Sequence, residues 1–319
     1  MTIQLHSNLS TQRWHELRAG CITSTEVAAL FGLSPYETAF ELWHRKKRGE
    51  QDAVEENERM KWGNRLQDAI ADGIAEDNGW NLSPCDGMFW LDDKSRIGAS
   101  ADYRVIHAGS ASFGAILEIK NVDSLAFKQG WVAHEDGEVE APPHIELQVQ
   151  HQMILLETDI AYIGALVGGN TVRLLRRDAD SEVQAQIKVK VAEFWRSIAE
   201  DQPPPFDPIK DYDAVLQSSL NASNSVLRAD DGSEHAALVA QLVAAQQKAK
   251  EADDAVTSLK TRIAALMSEH AEMQTPIGKV KILTVTPTAG TLITPEMVGT
   301  YYGARKGSKQ FRFYPKGAK

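Results

Sequence analysis

The chain has 319 residues, of which 43% are hydrophobic and 24% charged, as in an ordinary globular protein. It has no run of about 18 apolar residues and no signal-peptide pattern at its start, so we expect neither a transmembrane helix nor a secretory leader. Its two cysteines, Cys21 and Cys85, are too few for a disulfide framework or a four-thiolate iron–sulfur cluster. A net charge of −10 at first argues against a polyanionic partner.

The beginning of the chain is predicted to be helical. The capping-box pattern TSTE at residues 23–26 precedes the apolar run VAALF and predicts a helix that stops at Gly32. A second helix is expected at residues 37–48. From residue 62 to residue 79 apolar side chains recur at helical spacing, and a glycine suits the end, which predicts a third helix.

The pattern then changes to strands that alternate with helices. We predict strands at 88–91, 99–106 and 115–122, a helix at 144–156, a hairpin of strands at 161–169 and 171–177, and a helix at 182–200. This order predicts an α/β fold with a mixed central sheet flanked by helices.

Composition divides the chain into four segments. Residues 1–207 form the predicted main domain, which ends at a run of three prolines, and residues 208–233 read as a linker. Residues 234–274 predict one long helix of coiled-coil character. Residues 275–319 predict a small β segment with eight Lys and Arg against one acid, which leaves the rest of the chain near −17. A basic tail of this kind suits DNA binding, and it equally suits a strand edge that resists aggregation.

Two predicted strands carry the candidate catalytic groups. Asp102 lies in the apolar context SADYRV, and Glu118 and Lys120 follow in the strand LEIK. Alternate side chains on a strand share a face, so Glu118 and Lys120 point the same way. If the two strands are neighbours, Asp102 sits beside Glu118, and two carboxylates with a backbone carbonyl are hard ligands suited to Mg²⁺. Lys120 could then orient or deprotonate a water whose pKa the metal lowers.

The E-x-K triplet alone is a weak signal, because such a triplet arises by chance in a chain of this size. The alternative is a strand whose outer face merely alternates charge. The apolar flanks favour a site, since unpaired charges are costly to bury and a buried pair of carboxylates repels unless a cation bridges it. The histidines His134, His144 and His151 lack zinc spacing, and the last two are predicted to lie on a helix surface.

Five motifs in order give the chain a family resemblance. They are the segment WHELRAGCITSTEV at residues 14–27, Trp62-Gly63, Ser100-Ala101-Asp102, Leu117-Glu118-Ile119-Lys120 and QVQHQM at residues 148–153. This series resembles the lambda exonuclease, or YqaJ-type viral recombinase, family of the PD-(D/E)XK nuclease superfamily, and it spans about residues 12–207. The resemblance implies the PD-(D/E)XK core, here with a C-terminal long helix and a small β appendage, together with Mg²⁺-dependent nuclease activity, in which Mn²⁺ is a substitute.

The resemblance also implies roles for individual residues. Asp102 and Glu118 match the metal ligands, together with the backbone carbonyl of Ile119, and Lys120 matches the catalytic lysine. Gln148 matches a glutamine near the attacking water; its alternative is a polar helix face. Arg18 and Thr25, with the neighbouring Ser24, match a site for a DNA phosphate, and a free helix N-terminus suits an anion.

One position departs from the family pattern. Where relatives usually carry a glutamate that supports the metal site, this chain has Gln67. An amide offers a carbonyl oxygen but no charge, so Gln67 is at most a neutral metal ligand. Either a second metal binds more weakly, or Asp68 or a water substitutes for the missing carboxylate. The number of metals is therefore left open.

The resemblance implies an exonuclease that degrades one strand of duplex DNA from its ends, 5′ to 3′, in phage-type homologous recombination. The expected partners are double-stranded DNA ends, a single-strand annealing protein and further copies of the chain, as a trimer by family analogy. The expected location is the cytoplasm of a bacterial or phage-infected bacterial cell, with no membrane partner. Two alternatives stay open: an endonuclease of the same superfamily, and a DNA-binding or assembly protein whose cleavage is impaired.

Overall fold

The structure, a computed structural model, describes residues 2–49, 57–106, 114–135, 137–218 and 226–281. The chain divides into two compact units, Met1–Leu220 and Asn221–Lys319. No helix within the described ranges is both long enough and apolar enough to cross a membrane. Both cysteines are buried and unpaired with each other.

The first unit contains eight helices in its described part. They are α1 (Thr11–Ala19), α2 (Val27–Leu30), α3 (Ala39–Arg48), α4 (Glu58–Asn78), α5 (Ser124–Gly130), α6 (Pro143–Leu156), α7 (Ser181–Ala199) and α8 (Tyr212–Ser218). Local chemistry sets several boundaries. Thr38 and Glu41 form a full capping box at the start of α3, and Gly49 and Gly79 adopt the left-handed conformation where α3 and α4 end.

The strands of the first unit form two larger sheets and a small ribbon. The strands are β1 (Gln4–His6), β2 (Ile22–Thr23), β3 (Asn81–Pro84), β4 (Phe89–Asp92), β5 (Ile97–Ala99), β6 (Tyr103–Ile106), β7 (Ala115–Val122), β8 (Val132–Ala133), β9 (Val139–Glu140), β10 (Ile160–Val167) and β11 (Thr171–Asp178). A five-stranded sheet has the order β11-β10-β7-β6-β3, a four-stranded sheet the order β1-β4-β5-β2, and β8 pairs with β9. In the five-stranded sheet β7 pairs in parallel with β10 and antiparallel with β6, so the predicted mixed sheet flanked by helices is confirmed.

Helices pack on the five-stranded sheet closely enough to dictate residue size. Ile70 and Ile74 of α4 pack in one buried cluster with Leu117 and Ile119 of β7. A Cβ atom on Gly164 of β10 would lie 2.5 Å from Cδ1 of Ile74, so a side chain there would force the Ile74 side chain to shift. The helix α6 is buried almost throughout and carries four polar side chains into the interior: Gln148, Gln150, His151 and Gln152.

The second unit is described from residue 226 to residue 281. It contains one helix, α9 (Glu234–Met267), and a hairpin of β12 (Glu272–Thr275) and β13 (Gly278–Lys281). The helix occupies most of the segment 234–274 predicted to form one long helix, but the prediction is wrong at its end, where the helix stops at Met267 and β12 begins at Glu272. Most of the predicted basic segment, residues 282–319, lies outside the described residues.

Four other sequence predictions need correction. The predicted linker at 208–233 contains α8, whose residues pack in the first unit. The predicted strand 99–106 is interrupted between β5 and β6, because Asp102 turns toward β7. The helix after TSTE runs from Val27 to Leu30, but only half of the predicted capping box forms: Glu26 accepts from the Thr23 N–H, while the Thr23 hydroxyl donates to the same carboxylate instead of accepting from the Glu26 N–H. His151 is fully buried rather than on a surface, and its Nε2 lies 3.0 Å from the Gly98 carbonyl oxygen.

Candidate active site

The structure brings Asp102, Glu118 and Lys120 together at the centre of the five-stranded sheet. Tyr103 of β6 pairs with Leu117 of β7, so the residue just before β6 lies beside Glu118. The carboxylate of Asp102 is held there by the backbone N–H of Ile119, which donates to Oδ2 at 2.7 Å. Glu118 and Lys120 lie on the same face of β7, because alternate side chains of a strand point to the same side.

Helix α6 closes this cluster with an amide. Lys120 Nζ donates to Glu118 Oε1 at 2.6 Å and to Gln148 Oε1 at 3.1 Å. The Gln148 amide in turn donates to the same Glu118 oxygen at 2.5 Å. Gln148 is therefore buried and bonded to the cluster, as its proposed place near the reacting groups requires; the alternative of a solvent-facing polar helix surface does not fit its 7% exposure.

Gln152 is a member of the cluster that the sequence analysis missed. Its Nε2 donates to Glu118 Oε2 at 2.7 Å and to the carbonyl of Ser100 at 2.9 Å. Both carboxylate oxygens of Glu118 are thus bonded, one by Lys120 and Gln148 and the other by Gln152. The signal was present in the sequence: Gln148 and Gln152 are four residues apart on one helix, and such residues lie on the same face.

The electrostatics of the cluster separate its two acids from its base. Burial and the nearby charge of Glu118 together raise the pKa of Asp102 to about 7, which the charge of Lys120 only partly offsets. Burial acts against the charge on Lys120, but the carboxylates of Glu118 and Asp102 outweigh it and hold the lysine pKa above its ordinary value. The lysine is therefore charged at neutral pH in this arrangement, whereas Asp102 is close to its titration point.

The donor set fits a hard divalent cation. Two carboxylates that repel each other converge beside the backbone of Ile119, and the Oδ1 atom of Asp102 accepts no hydrogen bond from the described residues. The described residues contain no group of three or more histidine, cysteine or acidic side chains that could hold a metal. The residues present can therefore supply two charged ligands and a carbonyl, with the remaining positions left to water or substrate.

Gln67 makes no hydrogen bond to the carboxylates of this site in the described part of the chain, and its role as a neutral metal ligand stays a prediction. Among the described residues, none of the hydrogen bonds that Asp102 and Glu118 accept comes from Gln67. Asp68, the suggested substitute, accepts a short hydrogen bond from the hydroxyl of Tyr103, and this bond contributes to raising the tyrosine pKa. Neither residue adds a charge to the pair of carboxylates.

The predicted phosphate site is only partly assembled. Arg18 Nη2 lies 3.5 Å from the Thr25 hydroxyl, and the guanidinium stacks on Trp14 at 4.4 Å from the ring centroid. Ser24 is 3% exposed, which leaves no room for a phosphate to reach it. The helix that follows, α2, has only four residues and therefore supplies little dipole.

A buried ion network lies directly behind Arg18 and Thr25. Glu26 Oε2 accepts from the backbone N–H and the hydroxyl of Thr23, both at 2.9 Å, while Oε1 accepts from Arg45 at 2.9 Å and lies 2.8 Å from Lys46 Nζ. Lys46 also donates to the carbonyl of Arg18 at 2.7 Å. Burial alone would raise the pKa of Glu26, but the charges of Lys46, Arg45 and Arg18 outweigh it and lower the pKa to about 2.

A groove of about 810 Å³ opens over this network within the first unit. Its walls include Arg18, Thr25 and Tyr36, and α8 contributes Asp213 and Gln217. Other lining residues carry charge of both signs: Glu26, Glu37, Glu41, Arg45, Arg48 and Arg59.

An aromatic pair links this groove to the lysine of the cluster. The ring of Tyr36 stands edge-on to His144 of α6, with centroids 5.7 Å apart. Burial and the charge of Lys120 lower the pKa of His144, which therefore stays neutral near the lysine. Tyr36, which lines the groove, is thus the residue through which the groove wall contacts α6.

Comparison with known sequences agrees with the motif order. Residues 13–160 match the family described as YqaJ-like viral recombinase domain. The chain is also 26% identical over 192 residues to the uncharacterized protein YqaJ of Bacillus subtilis (strain 168), a match that covers 60% of this chain and 57% of that protein. The predicted resemblance to YqaJ-type recombinases is therefore confirmed.

Solved structures to which the chain is similar include two that are described as exonucleases. The alkaline exonuclease LHK-Exo from Laribacter hongkongensis is 18% identical with a TM-score of 0.47, over 66% of this chain and 100% of that chain. A phage related exonuclease from Haemophilus somnus 129PT is 13% identical with a TM-score of 0.40, over 56% of this chain and 94% of that chain.

Proposed function

We propose, from the YqaJ-like viral recombinase domain that residues 13–160 carry, that this chain is a metal-dependent DNA exonuclease. It would hydrolyse phosphodiester bonds from duplex ends, 5′ to 3′, in phage-type homologous recombination. The observation that carries the proposal is the meeting of Asp102, Glu118 and Lys120 on neighbouring strands, with the carboxylates in mutual repulsion. A protein that only binds DNA has no use for two adjacent buried carboxylates, which repel a phosphate.

The proposed chemistry uses each member of the cluster. Mg²⁺, or Mn²⁺ in its place, would be held by Asp102, Glu118 and the carbonyl of Ile119, where it lowers the pKa of a bound water and neutralises charge on the phosphate. Lys120 is charged in this arrangement, so it would act first as a donor that orients the water or the phosphate. To act as a base it must first lose the proton that Glu118 stabilises.

The two glutamines of α6 would hold the Glu118 carboxylate in one orientation. Gln148 and Gln152 donate to opposite oxygens of the carboxylate, which fixes its plane. Gln148 also accepts from Lys120, so it sets the lysine position. Fixing ligands and donors before the substrate arrives removes reorganisation from the reaction barrier.

The substrate would approach along the groove that Arg18, Thr25 and Tyr36 line. Arg18 and Thr25 would hold a phosphate of the DNA end, and Tyr36 lies between that point and Lys120. Further partners follow from the family: a single-strand annealing protein would receive the strand left behind, and copies of the chain would assemble as a trimer.

A direct test follows the products of hydrolysis. Duplex DNA labelled at one 5′ end, incubated with Mg²⁺, should release short labelled products from the start, whereas EDTA or Lys120→Met should abolish release. A closed circular duplex serves as the matched substrate without ends and should stay intact. Cleavage of the circle would support the endonuclease alternative, and wild-type inactivity with every divalent cation would support the cleavage-impaired alternative that Gln67 suggests.

A further inference from the structure

Tyr36 is a large aromatic residue that the fold leaves in solvent. It is 82% exposed, although it lies in the first unit close to the proposed active site. A single exposed apolar residue is ordinary on a protein surface, so exposure alone assigns no role. The support and the neighbours of this residue are what set it apart.

The backbone around Tyr36 is held in place on both sides. The Ser34 hydroxyl accepts from the backbone N–H of Tyr36 at 3.2 Å and from that of Glu37 at 3.3 Å. The Glu37 carboxylate accepts from Arg45 of α3 at 2.8 and 2.6 Å, and the capping box of Thr38 begins α3 directly afterwards. The exposed ring therefore stands on a fixed support, so a ligand that contacts it need not first order the loop.

Tyr36 adjoins both places where the proposed function puts a phosphate. It lines the groove together with Arg18 and Thr25. Its ring also stands edge-on to His144 of α6, with centroids 5.7 Å apart. Tyr36 is among the groups that act on the pKa of Lys120, so it lies within electrostatic reach of that lysine. A nucleotide strand that runs from Arg18 to Lys120 would pass this ring.

We propose that Tyr36 stacks on the base of the terminal nucleotide, whose 5′ phosphate Arg18 and Thr25 hold. The inference rests on the proposed function, because it takes the terminal phosphate to lie at Arg18 and the scissile phosphate at the cluster. Between two successive phosphates of a strand lie one sugar and one base, so a side chain between the two contacts meets that nucleoside. An aromatic ring suits this place because every base has a π-face, and an enzyme that degrades any sequence needs a contact that tolerates any base.

Two substitutions separate the ring of Tyr36 from its hydroxyl. Tyr36→Phe keeps the aromatic face and removes the hydroxyl, which could otherwise donate to a phosphate oxygen. Tyr36→Leu keeps an apolar side chain and removes the aromatic face. Because the residue is exposed, neither change should lower the free energy of unfolding appreciably, and urea unfolding measures this.

The test measures binding of two duplexes that differ only in the terminal base. Both are closed by a labelled hairpin at one end and carry an unpaired, 5′-phosphorylated nucleotide at the other, which is either normal or abasic. Binding to the full chain carrying Lys120→Met is followed by fluorescence anisotropy with Mg²⁺, so that hydrolysis does not consume the DNA. We expect the normal duplex to bind about tenfold more tightly, as one base–aromatic stack typically gives. Adding Tyr36→Leu should abolish this preference, and adding Tyr36→Phe should keep it.

The matched control is the same change at another tyrosine of the first unit. Tyr212 is 49% exposed and lies outside the groove lining that the described residues form, so Tyr212→Leu should keep the preference. An equal preference with Tyr36→Leu, or none with Tyr36 intact, would overturn the stacking. Loss of the preference with Tyr36→Phe would assign the contact to the hydroxyl and overturn it as well.

The same measurements keep this inference apart from the proposed function. A preference that depends on the Tyr36 ring, in a protein whose wild type hydrolyses no DNA, would support the stacking and overturn only the nuclease activity. Hydrolysis by the wild type without such a preference would overturn only the stacking. Failure to bind either duplex would overturn both.

Discussion

Glu26 and Asp102 are two buried carboxylates of the same unit, and their pKa values are shifted in opposite directions. The Glu26 pKa is lowered to about 2, whereas the Asp102 pKa is raised to about 7. Burial favours the neutral form of both, so the difference comes from their partners. Glu26 faces two cations, Arg45 and Lys46, while Asp102 faces another carboxylate with one lysine between them.

The difference separates a structural ion network from the site that we propose for a metal. Glu26 has hydrogen-bond donors on both oxygens and balanced charge, so nothing further is needed there. When both acids are ionised, Asp102, Glu118 and Lys120 together carry one excess negative charge, which a proton on Asp102 or a bound cation would balance. Charged groups left in conflict by the fold are common at functional sites, because function needs the charge that folding would avoid.

The largest expected effect is at Asp102, whose carboxylate is repelled by Glu118. Asp102→Asn keeps an oxygen that can accept from the Ile119 N–H but removes the charge, so we expect hydrolysis to fall roughly 10³-fold or more. The same change removes repulsion from Glu118, so metal-free stability should stay equal or rise. Rates with saturating Mg²⁺ and urea unfolding in EDTA measure the two effects.

The exposed Asp93 supplies the control for that variant. Asp93→Asn removes the same charge from the surface of the same unit and should change neither rate nor stability appreciably. If Asp102→Asn were fully active, the assignment of this carboxylate as a metal ligand would be wrong. If it were instead markedly less stable than the wild type in EDTA, the inference that Asp102 and Glu118 repel each other without metal would be wrong.

The opposite result is expected at Glu26. Glu26→Ala leaves Lys46 buried without its carboxylate, and breaking a buried ion pair in this way costs about 3–5 kcal/mol of unfolding free energy. Glu26→Gln should cost less, because its amide oxygen still accepts hydrogen bonds. Urea unfolding measures both, with Glu16→Ala as the exposed control, since its pair with Arg13 lies on the surface and contributes little. Equal stability of Glu26→Ala and wild type would contradict the role of the network.

The sequence predicted the cluster of Asp102, Glu118 and Lys120 far better than the ion network around Glu26. Strand β7 runs from Ala115 to Val122 as predicted, because a near-continuous apolar run with Glu118 and Lys120 on one face has few other solutions. The same holds for the hairpin of β10 and β11 and for α6. Where the spacing of apolar residues is local and strong, it decides the element.

Long-range partnerships were beyond such reasoning. The partners of Glu26 lie 19 and 20 residues further on in α3, and local pattern suggested a helix cap instead. His151 looked like a surface residue because α6 was expected to have a solvent face, but both sides of that helix are covered by protein. The short strands β1 and β2 were missed because two or three residues carry no periodicity.

The comparison also predicts how stability depends on pH without metal. The folded state keeps the Asp102 proton up to about pH 7, whereas an unfolded chain releases it near the model-peptide value of 3.8. The folded state therefore binds more protons between these values, and stability should fall as pH rises through this window. Urea unfolding in EDTA across pH 4–8 measures the slope, and Asp102→Asn should flatten it.

Glu26 gives the opposite sign on the acid side. Its pKa is about 2 when folded and 4.5 in the unfolded reference, so its contribution to stability is complete above the unfolded value. That contribution should disappear as pH falls from about 4.5 to 2. Glu26→Gln should remove this loss of stability at acid pH. It should leave the pH dependence that Asp102 causes closer to neutral pH unchanged. If this one variant changed the pH dependence of stability in both ranges, the two carboxylates would not be independent.

The smallest effect that sharpens the comparison is at Gln152. Gln152→Leu keeps the buried volume but removes the donor to Glu118 Oε2. The carboxylate is then oriented only by the hydrogen bonds to its other oxygen. Loss of such a supporting contact typically lowers metal affinity or activity about 10–100-fold. Gln150→Leu is the matched control on the same helix, because Gln150 bonds the Asp178 carbonyl and the Asp180 N–H instead. It should lower stability but leave Mg²⁺ affinity, measured by calorimetry, unchanged; equal losses in both variants would mean that Gln152 supports the helix rather than the site.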